Sequence, residues 1–208
     1  MKRLQAETLV QGESFDDLDG AGATLADKEL FRCTFRHAKL ADSRWQRCAF
    51  EACVFIECDL TRAVFVQSSL RGVTFQQCKL LGVDFSSLAL NPEVTFVGSI
   101  LRYVVMKDLN LRGTCFTDCE MQDAQLVDSS FVDADFNGSD LTGASFSRCE
   151  LAGADFSAAR GVYFEPRQNS AKGAFIAVET AVMIAQAAGL RVSGHDDPPK
   201  PAKRKRRA

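Results

Sequence analysis

The sequence predicts an all-β solenoid with four faces per turn, and two periodicities in its 208 residues carry that prediction. A large apolar residue recurs at every fifth position from Leu25 to Phe156, with one residue inserted near position 91. Neither the 3.6-residue period of an α-helix nor the two-residue alternation of a strand matches this interval. The same residue types also recur twenty residues apart, so four five-residue units make one turn and successive turns stack.

One column of the predicted solenoid consists entirely of phenylalanine. Its members, after the insertion is allowed for, are Phe15, Phe35, Phe55, Phe75, Phe96, Phe116, Phe136 and Phe156. A small residue, usually Cys, Ala or Ser, stands two positions before most of the fifth-position residues, and the remaining positions hold nearly all the charge. The composition of 16 Phe against 2 Tyr and 1 Trp fits an interior in which a ring hydroxyl would lack a hydrogen-bond partner.

The regular spacing is interrupted at residues 91–95. Asn91, Pro92 and Glu93 supply the extra residue, and proline removes a backbone donor from the ladder, as at a bulge or a short corner loop. Bulkier residues such as Val83 and Leu88 replace the small inward ones nearby. We expect the rod to bend or widen here.

The C-terminal region is predicted to cap the solenoid. The repeat is expected to end near residue 160, and within 161–194 the segment Lys172 to Ala188 is predicted to be a helix that covers the last turn. Its apolar residues exceed one narrow stripe, which favours a second role as a dimer surface. The predicted dimerisation residues are Phe175, Ile176, Val178, Val182, Met183 and Ile184.

The segment 195–208 is rich in proline and basic residues and is predicted to be disordered. It is either a solvated tail or a contact for nucleic acid or an acidic partner.

No chemistry-bearing motif emerges, so no catalysis, metal or cofactor is expected. Seven of eight cysteines occupy the small inward position, which places Cys33 over Cys53 and Cys58 over Cys78. That spacing would permit disulfides, but buried thiols acting as small apolar groups explain it equally well. No signal-peptide or membrane-spanning run occurs, and we therefore expect a soluble cytoplasmic protein with reduced thiols. Neither zinc-ligand spacing nor a nucleophile beside a base is present.

The overall charge of −2 conceals a strongly acidic segment. Residues 1–107 hold 13 acidic and 13 basic side chains, whereas residues 108–156 hold ten acidic ones against Arg112 and Arg148. The ten predicted partner-binding residues are Asp108, Asp118, Glu120, Asp123, Asp128, Asp133, Asp135, Asp140, Glu150 and Asp155. Two interpretations remain open together: aspartate suits tight corners, and an acidic surface suits a basic partner.

Units such as ADFNG at 134–138, SDLTG at 139–143 and ADFSA at 154–158 resemble the A(D/N)LXX repeat of pentapeptide-repeat proteins. The resemblance covers roughly residues 10 to 160. It implies that residues 1–160 form a right-handed quadrilateral β-helix of about 7–8 coils at about 4.8 Å per coil.

The length, the terminal helix and the acidic centre resemble one group of that family, the quinolone-resistance and topoisomerase-poison immunity proteins. This resemblance implies a homodimeric DNA mimic that binds DNA gyrase or topoisomerase IV. The single short interruption differs from the projecting loops of several protecting members and favours simple occupancy of the DNA-binding saddle. The basic tail also departs from a DNA mimic and could contact DNA directly. The alternative is a non-catalytic interaction scaffold with another partner.

Overall fold

The computed structural model describes residues 1–89 and 91–195. Leu90 of the repeat series and residues 196–208, which include most of the predicted disordered tail, lie outside the described residues.

The secondary structure consists of many strands of two to four residues and a short helix near each end. The helices are α1 (Lys2–Ala6) and α2 (Val178–Ala187). The strands are β1 (Leu9–Gln11), β2 (Ser14–Asp16), β3 (Thr24–Ala26), β4 (Glu29–Phe31), β5 (Thr34–Arg36), β6 (Arg44–Gln46), β7 (Ala49–Glu51), β8 (Val54–Ile56), β9 (Val64–Val66), β10 (Ser69–Arg71), β11 (Val73–Gln76), β12 (Val94–Val97), β13 (Val105–Lys107), β14 (Cys115–Thr117), β15 (Gln125–Val127), β16 (Ser145–Ser147), β17 (Asp155–Phe156) and β18 (Phe175–Ile176).

Parallel pairing between residues twenty apart arranges these strands into four faces. Face 1, the phenylalanine column, contains β2, β5, β8, β11, β12 and β14, with β17 and β18 further along. Face 2, centred on Leu40, is joined by isolated bridges such as Lys39 to Asp59. Face 3 contains β3, β6 and β9 and then β13, β15 and β16, and face 4 contains β1, β4, β7 and β10. The predicted fold class is confirmed: the chain is a β-solenoid of about eight turns.

Stacked rings fill the interior. The described fifth-position residues from Leu25 to Phe156 are buried, and only Phe15 in the first turn of the phenylalanine column is half-buried. Ring centroids in that column lie 4.7 to 5.0 Å apart along most of the rod. Each offset-stacked pair contributes about 0.5–1.5 kcal/mol beyond its buried area. The column therefore holds consecutive turns in register.

The interruption widens the stack and changes face 4. Phe96 lies 5.3 Å from Phe75 and 5.4 Å from Phe116, the largest spacings between neighbours in the column. Glu93 takes the inserted place in the ladder, donating its N–H to the Leu70 carbonyl. Beyond it, face 4 continues as isolated bridges rather than strands. A small apolar cavity beneath Pro92 marks the point where the two halves of the rod join.

An N-terminal cap closes the first turn, and the sequence analysis missed it. Leu4 of α1 is fully buried, and Lys28 donates from Nζ to the carbonyls of Gln5 at 3.0 Å and Glu7 at 2.7 Å. A side chain at Gly20 would contact Leu40 and the cap, so glycine leaves room for it.

The prediction of a helix from Lys172 is wrong at its start. Helix α2 begins at Val178, and Phe175 and Ile176 form β18, which pairs with β17. The solenoid therefore continues for one turn beyond its expected end. In this last turn residues 161–169 form an irregular segment where the strand of face 3 would lie. The physical reason is that the twenty-residue register continues past Gly161 and Pro166, so that Ile176 stacks on Phe156, although the same segment also fits a helix-like pattern.

Asn169 links this irregular segment to the preceding turn. Its amide accepts a hydrogen bond from the Cys149 N–H and donates one to the Phe146 carbonyl. No helix in the described part of the chain is long and apolar enough to cross a membrane.

Candidate partner-binding surface

Aspartate occupies corners that demand a left-handed backbone. At most corners the residue two positions after the central one has positive φ, including Asp118 (53°), Asp123 (57°), Asp128 (50°) and Asp133 (57°). Asp and Asn tolerate this conformation better than other residues with a side chain. These four aspartates stand at the four successive corners of one turn, so they encircle the rod.

Three further aspartates shape turns on faces 1 and 2. Asp135, Asp140 and Asp155 each accept a hydrogen bond from the N–H two residues on, at 2.9, 3.0 and 2.8 Å. The bonds from Ser157 lower the pKa of Asp155. Aspartate therefore also has a local turn-forming role at these three positions.

Asp140 is the most strongly held of the three. Burial acts to raise its pKa, but hydrogen bonds from Thr142 and from Gln122 at 2.8 Å, with the charge of Arg160, outweigh burial and lower the pKa to about 2. The carboxylate is thus charged at any physiological pH.

The ten predicted acidic residues separate into two sets around the rod. We call the set on faces 1 and 2 and their corners the acidic surface: Asp118, Glu120, Asp123, Asp135, Asp140 and Asp155. We call the set on faces 3 and 4 and their corners the ion-paired surface: Asp108, Asp128, Asp133 and Glu150. The structure therefore does not gather all ten predicted residues into one patch.

Basic residues neutralise most of the ion-paired surface. Asp128 accepts from Arg148 at 2.7 Å, and this bond lowers the pKa of Asp128. Asp133 lies 3.0 Å from Arg112, and Asp108 lies 3.8 Å from Lys107. Glu150 accepts from the Ser130 hydroxyl.

The acidic surface is almost free of counter-charges. Within the described residues its single ion pair within 4 Å joins Asp140 to Arg160. Five of its six carboxylates therefore have no cationic partner there.

Like charges are stacked on the acidic surface but alternate elsewhere in the same column. Along face 2, Asp19, Lys39, Asp59 and Lys79 alternate in sign from turn to turn. Further along this column Glu120 stacks directly on Asp140, and on face 1 Asp135 stacks on Asp155. Like charges directly opposite one another destabilise a sheet, so this arrangement is not explained by stability.

Glycine lies one turn on from three corner aspartates, Asp118, Asp123 and Asp133, and among the described residues only Asp133 of these has a cationic partner. We call residues 1–107 the first half of the rod and residues 108–156 the acidic half. In the first half, Asp27 and Asp42 are each paired with an arginine one turn on. In the acidic half, the carboxylates of Asp118 and Asp123 instead lie against Gly138 and Gly143, where any side chain would collide with them. The missing side chain leaves these carboxylates open to solvent.

The remaining predicted features lie apart from the acidic surface. At the interruption Asn91 and Glu93 are exposed and Pro92 is buried, so the loop presents two polar side chains without projecting as a separate element. All eight cysteines are free thiols. Burial raises the pKa of Cys53 and of Cys119 to about 11, which keeps both thiols protonated. The described residues include no group of three or more side chains suited to holding a metal.

The predicted dimerisation residues divide between the interior and the surface. Ile176 and Ile184 pack against the core, and Val182 is half-buried. The exposed residues are Phe175 (64%), Val178 (70%) and Met183 (45%), together with Leu190 (62%), which the sequence analysis did not single out.

Two residues beside the acidic surface were missed because they precede the acidic stretch in sequence. Tyr103 is 49% exposed at the corner of face 2, directly below Asp123, and its N–H bonds to the Gln122 carbonyl. The guanidinium carbon of Arg102 lies 5.6 Å from the Tyr103 ring centre. The twenty-residue register is the signal that would have found them.

The fold of this chain is similar to that of solved proteins. A trypsin-treated variant of QnrB1, a plasmid-mediated fluoroquinolone resistance protein, has a TM-score of 0.54 at 19% identity, covering 89% of this chain and 97% of that one. Full-length QnrB1 has a TM-score of 0.48 at 20% identity, covering 88% and 90%. HetL from Nostoc sp. strain PCC 7120, involved in heterocyst differentiation regulation, has 0.36 at 17%, covering 82% and 86%.

No curated protein sequence matches the chain. The family described as Pentapeptide repeat region matches residues 28–101 and 92–156, more than half of the chain. The chain therefore belongs to the pentapeptide-repeat family.

Proposed function

We propose that this protein binds DNA gyrase or topoisomerase IV by mimicking duplex DNA and so confers resistance or self-immunity to topoisomerase poisons, either quinolones or natural-product inhibitors. The observation that carries this proposal is the set of stacked carboxylates on the acidic surface, of which only Asp140 has a cationic partner among the described residues. They oppose stability, and a basic partner would compensate them.

The density of charge supports mimicry of a duplex. Residues 108–156 carry a net charge of −8. They occupy about two and a half turns, or about 12 Å of rod at about 4.8 Å per turn. This is about one charge per 1.5 Å, close to the value of about one per 1.7 Å along duplex DNA.

The exposed apolar residues near α2 support assembly with a second copy. Phe175, Val178, Met183 and Leu190 present apolar side chains to solvent at the end next to the acidic half. A two-fold contact through this end would join two acidic segments across the centre of a longer rod. A homodimer would thus offer a continuous duplex-like surface.

The choice of partner follows from the family resemblance and from the shared fold with QnrB1, a fluoroquinolone resistance protein. The short interruption at Asn91, Pro92 and Glu93 offers no projecting loop. We therefore favour occupancy of the DNA-binding saddle over insertion of a loop into the enzyme.

Binding and protection can be measured together with purified components. Interferometry with immobilised gyrase and topoisomerase IV would test binding, and supercoiling and decatenation assays with and without a quinolone would test protection. We expect submicromolar binding and a shift in the quinolone dose response. Absence of both effects with both enzymes would overturn the proposal and leave the alternative of a non-catalytic scaffold with another partner.

A further inference from the structure

We propose that the rod contacts its basic partner on one side only, through faces 1 and 2, and that Tyr103 anchors the contact by receiving an arginine side chain. This inference rests on the proposed function and specifies the contact surface. It follows from three observations on face 2 and its corners: uncompensated charge, an exposed aromatic ring and unsatisfied polar atoms.

The charges distinguish the two sides of the rod. An arginine that approaches Asp128 or Asp133 meets a carboxylate already held by Arg148 or Arg112, and it is repelled by that cation. Among the described residues Glu120 and Asp123 form no ion pair within 4 Å, so an arginine that approaches either one meets a carboxylate without a bound cation. Charge complementarity therefore selects the acidic surface.

Tyr103 adds an exposed aromatic ring to the carboxylates of the acidic surface. Its exposed ring lies one turn below Asp123 in the same corner column. The guanidinium of Arg102 already lies over one face of this ring, 5.6 Å from its centre. An arginine of the partner would therefore stack on the opposite face and donate hydrogen bonds to the Asp123 carboxylate. Exposed tyrosines of this kind commonly carry a large share of binding energy.

Two buried polar atoms beside Tyr103 are unsatisfied. Within the described part of the chain, Arg102 Nε and Gln122 Oε1 have no hydrogen-bond partner. They lie on successive turns of face 2, and Gln122 also holds Asp140 through its amide nitrogen. Because both atoms are enclosed, a partner would reach them only if the Arg102 or Gln122 side chain moved on binding.

Matched triple variants test the one-sided contact. One carries Asp118→Asn, Glu120→Gln and Asp123→Asn, and the other carries Asp108→Asn, Asp128→Asn and Asp133→Asn. Both remove three carboxylates, and asparagine is compatible with the left-handed corners. We expect the first to lose at least tenfold in affinity for immobilised gyrase and the second less than threefold. Equal losses would overturn the one-sided contact, whereas a wild-type protein that does not bind would instead refute the proposed function.

Substitution of Tyr103 tests the anchor. Tyr103→Asn suits the positive φ of this corner and should melt at the wild-type temperature or above, yet bind gyrase about tenfold more weakly through faster dissociation. Tyr103→Phe should retain wild-type affinity, and Leu9→Asn on face 4 serves as the exposed apolar control. Unchanged affinity of Tyr103→Asn, or an equal loss with Leu9→Asn, would overturn the anchor.

Discussion

The two halves of the rod share one interior but differ in their surfaces. Phe35 and Phe55 stack at 4.7 Å in the first half, and Phe136 and Phe156 stack at the same distance in the acidic half. Outside, Asp27 and Asp42 of the first half pair with arginines. In the acidic half three corner aspartates lie against glycine, and only one of them, Asp133, has an arginine partner. Inward residues thus build the solenoid, and outward residues can change without altering the fold.

The largest effect should come from the shared interior. Phe116→Asp and Phe55→Asp each place an unpaired charge among stacked rings, and we expect either substitution to abolish the folded state because burial of such a charge is prohibitive. Circular dichroism and thermal melting would check this. A folded Asp variant in one half alone would show that the two interiors are not equivalent.

Restoring the alternation of charge on face 2 should increase stability and weaken gyrase binding. Glu120→Lys places a cation beside Asp140, which should raise the free energy of unfolding by about 0.5 kcal/mol while weakening gyrase binding severalfold. Lys79→Glu, in the same column, stacks two acids and should lower stability by a similar amount without affecting binding. Urea unfolding and interferometry on both variants test this. If Glu120→Lys binds like wild type, Glu120 does not belong to the contact.

The pKa values of Asp42 and Asp140 should respond differently to salt, because different groups stabilise the two carboxylates. The pKa of Asp42 is lowered mainly by its hydrogen bonds with Arg62. Burial acts to raise the pKa of Asp140, but neutral hydrogen-bond donors, with a smaller contribution from the charge of Arg160, outweigh burial and hold that pKa at about 2. Because both values are depressed in the folded state, each contribution to stability is full above the ordinary value of about 3.9 and is lost as pH falls through the folded pKa.

Carboxyl NMR titration at low and high salt would measure this difference. Salt should move the pKa of Asp42 towards its ordinary value and leave that of Asp140 nearly unchanged, because salt screens exposed charge pairs. Equal shifts at both sites would contradict the distinction. Asp140→Asn should also flatten the loss of stability between about pH 4 and pH 2.

The smallest effect should come from removing the arginine partners of the carboxylates on the ion-paired surface. Arg112→Gln with Arg148→Gln frees the carboxylates of Asp133 and Asp128 and makes faces 3 and 4 resemble the acidic surface. We expect gyrase affinity to rise about two- to threefold, with a steeper dependence on salt. Reduced affinity would mean that these arginines contribute to the contact.

The sequence was sufficient to predict the fold because every inward position obeys one spacing. The Phe column alone determines four faces per turn. The exceptions arise where local chemistry competes with the repeat: Ile176 belongs to both a five-residue and a helix-like pattern, and the cap at Leu4 and Lys28 is anchored by a contact distant in sequence.

The candidate site was only partly predictable. Counting charges identified the acidic half, but a count does not show which carboxylates face a cation one turn away. Asp118 and Asp128 are both corner aspartates, yet one lies against Gly138 and the other against Arg148. Tyr103 was overlooked because its neighbour Asp123 is twenty residues distant.

The most direct test of duplex mimicry is competition between this protein and DNA for gyrase. Fluorescence anisotropy of a labelled duplex bound to gyrase would be followed as the protein is added, at several salt concentrations. We expect full displacement of the duplex, with an inhibition constant that rises steeply with salt. Binding to gyrase that leaves the duplex in place would contradict it.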